Sequence, residues 1–91
     1  RPYPTTEAIA WLVNKEIGCL GIDCTGIEVK GPERSSQPNH KLLFEKGIPL
    51  IENLTNLSEI KKENFKVFVL PVNIKGLESF PVRVIAIEEN P

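Results

Sequence analysis

His40-Lys41-Leu42-Leu43-Phe44-Glu45-Lys46-Gly47-Ile48-Pro49-Leu50-Ile51-Glu52 is the stretch on which the fold turns. Its first half has the make-up of a short helix over residues 40–46, with Asn39 as the cap that accepts a first-turn N–H and Gly47 as the C′ residue that ends it. Residues 48–52 are then an apolar run closing on a carboxylate, the pattern of a strand covered on both faces. The helix advances roughly 10 Å at 1.5 Å per residue, and the strand returns roughly 13 Å at 3.3 Å per residue. If the two pack antiparallel, Glu52 arrives beside His40.

Upstream of this stretch, Pro2 and Pro4 fix φ and set an extended start over residues 1–4. Thr5 or Thr6 caps a helix over residues 7–17, where Ala8, Ile9, Leu12 and Val13 repeat with the 3.6 period, Trp11 flanks the stripe, and Gly18 supplies the stop. Residues 19–22 are a short apolar run that reads as a second buried strand, closing on Asp23. Residues 25–39 have the glycine, proline and serine content of a loop, long enough to expect a functional or mobile one. Downstream, residues 58–62 fit a helical turn. Residues 65–70 and 81–87 are β-branched and aromatic runs joined through Gly76, an antiparallel pair in which Pro71 marks an edge, a bulge or an early end. The expected class is α+β, or α/β in the alternative, with two helices on a mixed sheet.

Ninety-one residues allow one small domain, expected to span 1–91. Hydrophobic residues at 41% and charged residues at 25% are ordinary globular values and exclude a disordered or coiled-coil chain. Eleven basic against twelve acidic residues, scattered along the chain, leave no electrostatic footprint for nucleic acid or anionic lipid. The longest apolar runs fall far short of the roughly 20 residues that span a bilayer, and no signal-peptide pattern opens the chain, so a cytoplasmic protein is expected. Cys19 and Cys24 match neither a zinc-finger spacing nor a disulfide framework and are expected as two buried free thiols. The absence of methionine and a start at Arg1 read as a piece of a longer protein.

His40 and Glu52 are the constellation able to carry chemistry, because both are metal-ligand types. The positive end of the helix dipole disfavours imidazolium and so favours the neutral ring that ligates. The C-terminal edge of parallel strands is where α/β sheets bind ligands, and Asp23 closes the earlier strand at that same edge. Two ligands are nevertheless short of the three protein ligands a catalytic zinc uses. On spacing alone the plainer assignments stand beside this one: His40 as a surface or capping residue, Glu52 as a solvated strand end, Asp23 as a turn or cap acceptor. Lys61 and Lys62 with Glu59 and Glu63 make a solvated face.

Residues 40–57, His40 through Leu57, resemble the C-terminal motif of the cyclase-type metal-dependent hydrolases, which include the bacterial kynurenine formamidases. The resemblance extends through Gly18 to Asp23 and through Leu70-Pro71-Val72 to Pro81-Val82-Arg83, covering nearly the whole chain. It implies a swivelling β/β/α fold, a zinc or manganese centre, often binuclear, and homodimers. It assigns His40 and Glu52 as metal ligands; Asn53 and Asn56, next to Glu52, and Asp23, at the same strand edge, are the expected supporting residues, with plain loop positions as the alternative for the two asparagines. The family's His-x-Gly-Thr-His-x-Asp-x-Pro motif and its general acid/base histidine have no counterpart in these residues. What the resemblance implies is therefore the C-terminal half of an amidohydrolase that cleaves a small amide or formamide by metal-activated water, partnered by the missing N-terminal half. The rival expectation is a non-catalytic interaction module that kept the fold and lost the site.

Overall fold

A computed structural model describes residues 3–28, 36–72 and 74–89. Of the loop expected over 25–39, residues 29–35 lie outside the described residues, as do Arg1, Pro2 and Asn73. The elements are α1 (Thr6–Asn14), β1 (Leu20–Gly21), α2 (Pro38–Glu45), β2 (Leu50–Ile51), a 3-10 turn at Leu57–Glu59, β3 (Lys66–Pro71) and β4 (Val82–Ile87). The α+β class is as expected, but the parallel and antiparallel pairs form two separate two-stranded sheets, β1-β2 and β3-β4. The chain divides into two compact units, Arg1–Thr55 and Asn56–Pro91.

In the first unit, α1 begins where Thr5 Oγ1 accepts the Ala8 N–H at 3.0 Å, which satisfies one of the orphan donors of the first turn. The helix ends at Asn14, three residues short of the expected end at residue 17. Lys15 is its C-cap, and Glu16, rather than a glycine, takes the left-handed conformation at φ 59°. The Glu16 N–H reaching the Val13 carbonyl closes the helix before Gly18 is met. Ile9 is fully buried and Leu12 and Val13 pack beside it, whereas Trp11 lies outside the core with the Lys15 ammonium 5.2 Å from its ring centroid.

The second helix differs from expectation at its start. Its N-cap is Gln37 in the left-handed region at φ 49°, with no side-chain cap, and Asn39 stands inside the first turn with its side chain buried. At the other end the expected glycine is in place: Gly47 has φ 68°, its N–H donates to the Phe44 carbonyl at 3.0 Å, and the Ile48 N–H donates to Leu43 at 3.0 Å. These two bonds are a Schellman motif, and its customary apolar contact is made by Leu43 and Ile48, both in the core.

Ile48 leads directly into β2, which pairs in parallel with β1 in the register Leu20↔Leu50 and Gly21↔Ile51. Flanking bonds lengthen the pairing, with Leu20 donating to Pro49, Ile22 to Ile51, Leu54 to Ile22 and Asn53 to Cys24. A Cβ on Gly21 would stand 2.8 Å from Leu54 Cδ1, so a side chain there would have to displace the end of Leu54. The core of this unit is Ile9, Ile27, Leu43 and Ile48, with Leu20, Ile22 and Leu50 half-buried against it. The strands are less fully covered than expected, since Leu20, Leu50 and Ile51 are half-buried and Gly21 is exposed. Cys24 is buried and its thiol donates to the Gly26 carbonyl at 3.0 Å, but Cys19 is exposed, against the expectation of two interior thiols.

The second unit is an antiparallel ribbon in the register Lys66↔Ile87 through Pro71↔Val82. Pro71 is the last residue of β3, where a missing N–H costs no interior bond. The base is tied by Lys66 Nζ to Glu89 Oε1 at 2.8 Å, by the Lys61 N–H donating to Glu88 Oε1 at 2.6 Å, and by Lys62 Nζ to the Glu89 carbonyl. Lys61, Glu59 and Glu63 are exposed as expected of a solvated face, and Lys62, half-buried, adds its ammonium to the tie at the end of β4. Both faces of the ribbon are apolar and exposed, with Val67 and Val69 on one face and Phe68, Leu70, Ile85 and Ile87 on the other open to solvent. No described helix is long and apolar enough to cross a membrane.

Candidate metal centre

The first turn of a helix leaves N–H groups without intrahelical partners, and in α2 these organise the site. Pro38 occupies N1 and has no N–H to satisfy. The Lys41 N–H is the first to find a helical carbonyl, that of Gln37 at 3.0 Å. The two between them, on Asn39 and His40, are both taken by the carboxylate of Glu28, at 3.2 Å to Oε1 and 2.8 Å to Oε2. Glu28 thus caps the helix from twelve residues upstream of His40 and places negative charge at its positive end.

The same carboxylate holds the imidazole. His40 Nδ1 lies 2.7 Å from Glu28 Oε2, and the edge of the ring rests against Phe44 with centroids 5.6 Å apart. Glu28 is buried, and burial pushes its carboxyl up. The two backbone N–H groups and the histidine outweigh that and bring it below the usual carboxylate value. The field at His40 is therefore not that of the helix terminus alone, as the sequence suggested, but of a terminus faced by an anion.

Asn39, expected as the cap, has another task. Its Nδ2 donates to the Ile27 carbonyl at 2.7 Å and to the Pro4 carbonyl at 3.3 Å, which ties the segment carrying Glu28, and the chain ahead of α1, to the start of α2. Its Oδ1 has no hydrogen-bond partner among the described residues.

Glu52 follows β2 and is exposed. Its Oε2 stands 3.7 Å from the position a Cβ on Gly26 would occupy, so the carboxylate lies over the backbone of Gly26. His40 is held on Glu28, and two extended residues span at most about 7 Å. The two expected ligands therefore border one short strip of chain, residues 26–28, that continues from β1.

The supporting residues are distributed differently. Asn53 follows Glu52 at φ 61° with its N–H on the Cys24 carbonyl, so it fixes the backbone at the strand end. Asp23 is exposed just beyond β1. Asn56, at φ 62°, is exposed and precedes the 3-10 turn in the second unit. Among the described residues no group of three His, Cys, Asp or Glu side chains converges on one point. What these residues offer a cation is an imidazole already engaged through Nδ1, with Nε2 left for a ligand, and an exposed carboxylate. That donor set fits a zinc or manganese ion in kind and is incomplete in number.

Glu28 is the residue that sequence reasoning missed. The available signal was a carboxylate set between β-branched apolar neighbours, Ile27 and Val29, inside a stretch otherwise read as loop.

No family model matches the sequence, and no curated protein does. A solved structure described as a potential metal-dependent hydrolase with cyclase activity is similar over 98% of this chain, at 29% identity and a TM-score of 0.83. The chain spans 42% of that protein's length.

Proposed function

We propose that this chain contributes His40 and Glu52 as two ligands of a divalent metal centre in a hydrolase that cleaves a C–N bond in a small amide or formamide, an arylformamidase-like reaction. The observation that carries the reading is that an imidazole and a carboxylate from separate elements border the same strip, residues 26–28, beyond the parallel strand pair. The likeness to a potential metal-dependent hydrolase supports it from outside the chain. What a bound zinc or manganese ion supplies there is Lewis acidity toward a carbonyl and toward water. The chain's own part is to hold: His40 presents Nε2 from the start of α2, and Glu52 presents an exposed carboxylate from the end of β2. The remaining ligands, the general acid/base and most of the substrate pocket come from residues outside these 91.

The apolar ribbon of β3 and β4 favours a partner in the same assembly, because exposed apolar surface on both faces of a two-stranded ribbon is uncommon in a protein that stands alone. In this reading the missing half of the domain covers it, and a homodimer is the assembled form. The same surface is what a non-catalytic interaction module would use, and the test separates the two. The full-length protein is analysed for zinc and manganese and assayed against an N-formyl arylamine, before and after chelation, with His40→Ala and Glu52→Ala alongside. Expected are stoichiometric metal, hydrolysis lost on chelation and regained with metal, and loss of bound metal in both variants. Undiminished metal binding in both variants refutes the ligand assignment, and metal-free protein with no hydrolysis before chelation leaves the interaction module.

A further inference from the structure

We propose that Glu28 is the positioning residue of this centre: one buried carboxylate fixes both the start of α2 and the tautomer of His40, so that the ring meets its ligand through Nε2. The proposal rests on the reading of His40 as a metal ligand and adds what sets its geometry. An ionised carboxylate only accepts hydrogen bonds. Glu28 already accepts the Asn39 and His40 N–H groups, and its Oε2 faces His40 Nδ1 at 2.7 Å. Nδ1 must therefore carry hydrogen, and in the neutral ring the lone pair is left on Nε2.

Glu28 is itself immobilised, which distinguishes it from a surface partner. Its side chain is 7% exposed, against 20% for His40. The neighbouring Ile27 is fully buried and its carbonyl is held by Asn39 Nδ2 at 2.7 Å. Two consecutive residues of the strip, Ile27 and Glu28, thus grip two consecutive residues of the helix, Asn39 and His40. Phe44, one turn further along α2, closes on the ring from its edge. The imidazole is fixed at both its backbone and its Nδ1, so its orientation is set before a ligand arrives. Ligating histidines commonly donate their second N–H to a carboxylate or carbonyl, and removal of such partners costs about 10–100-fold in metal affinity.

His40 is the sole histidine of these 91 residues, so subtracting the spectrum of His40→Asn identifies its ring nitrogens. The test is 15N NMR of the metal-free full-length protein where the ring is neutral, followed by zinc titration against a competing chelator. The wild type is expected to show a protonated Nδ1 and an unprotonated Nε2. Glu28→Gln is expected to mix the tautomers and to weaken zinc binding about 10–100-fold, with Glu28→Asp intermediate in both. A wild-type ring protonated at Nε2 overturns the proposal and needs no variant, so it stands as a test even where Glu28→Gln fails to fold. Zinc affinity that depends on His40 but is unmoved by Glu28→Gln, with the tautomer unmoved, overturns this proposal alone. Zinc affinity indifferent to His40→Asn overturns the ligand reading beneath it.

Discussion

Gly47 and Glu16 occupy the same position, C′, of the two helices in the first unit, at φ of 68° and 59°, and only one of them is a glycine. That makes a matched pair for measuring what the left-handed conformation costs here. A Cβ added to Gly47 would find nothing within 4 Å, so Gly47→Ala introduces no clash and its whole effect is conformational. An L-residue in the left-handed region costs roughly 1–2 kcal/mol, and removing a glycine returns roughly 0.5–1 kcal/mol through the unfolded chain. Gly47→Ala should therefore destabilise by about 0.5–1 kcal/mol, and Glu16→Gly, the reverse change at an exposed site, should stabilise by a similar amount. Urea unfolding followed by circular dichroism reads both, with an unchanged m-value as the sign that only stability has moved. Shifts of the same sign in the two variants would refute the argument. A loss above about 2 kcal/mol at Gly47 would exceed the conformational cost and show that the turn into β2 depends on more than φ.

Asn39→Ala removes a buried donor from the Ile27 and Pro4 carbonyls and should cost about 2–3 kcal/mol in thermal or urea unfolding, at about 1 kcal/mol per bond plus the penalty of the carbonyls left behind. Asn39→Asp should cost more than Ala, since it turns an oxygen toward two carbonyl oxygens; the opposite order would mean that Nδ2 does not donate to these carbonyls. Leu43→Ala, at a fully buried position that also supplies the apolar contact of the Schellman motif, should cost about 2–5 kcal/mol. In the ribbon, Phe68→Thr with Leu70→Thr keeps strand propensity while removing apolar surface from one face, and sedimentation velocity should show less self-association than the wild-type chain. A monodisperse wild-type monomer would show that the ribbon tolerates water uncovered.

Much of the fold is legible because local signals and tertiary demands agree at particular residues. Thr5 caps α1, Gly47 ends α2, and β-branched runs meet as β3 and β4, each within a residue or two of where the sequence puts it. The failures lie where two local choices were nearly equal. Gly18 outranks Glu16 as a left-handed residue by intrinsic preference, yet the helix closes at Glu16, where Ile17 can pack against the core. Asn39 outranks Gln37 as a cap, yet its amide satisfies the carbonyls of Pro4 and Ile27, both far from it in the chain, and no local rule weighs that.

The site shows the same division between spacing and contact. His40 and Glu52 stand out as ligand types on either side of a turn that the sequence reveals, and their nearness to one strip follows from α2, Gly47 and β2 doing what their residues prefer. Glu28 could not be found that way, because a carboxylate in a polar-looking segment acquires its role only when the segment is laid along β1 and the helix start is brought to it. Once there, its importance follows from elementary accounting. Pro38 needs nothing and Lys41 reaches Gln37, so two N–H groups and one imidazole N–H remain, and one buried carboxylate accepts all three. A residue that caps a helix and orients the ring on that helix links stability to ligand geometry. Substitution at Glu28 should therefore impair both together, whereas substitution at the exposed Glu52 should impair metal binding and leave folding nearly untouched.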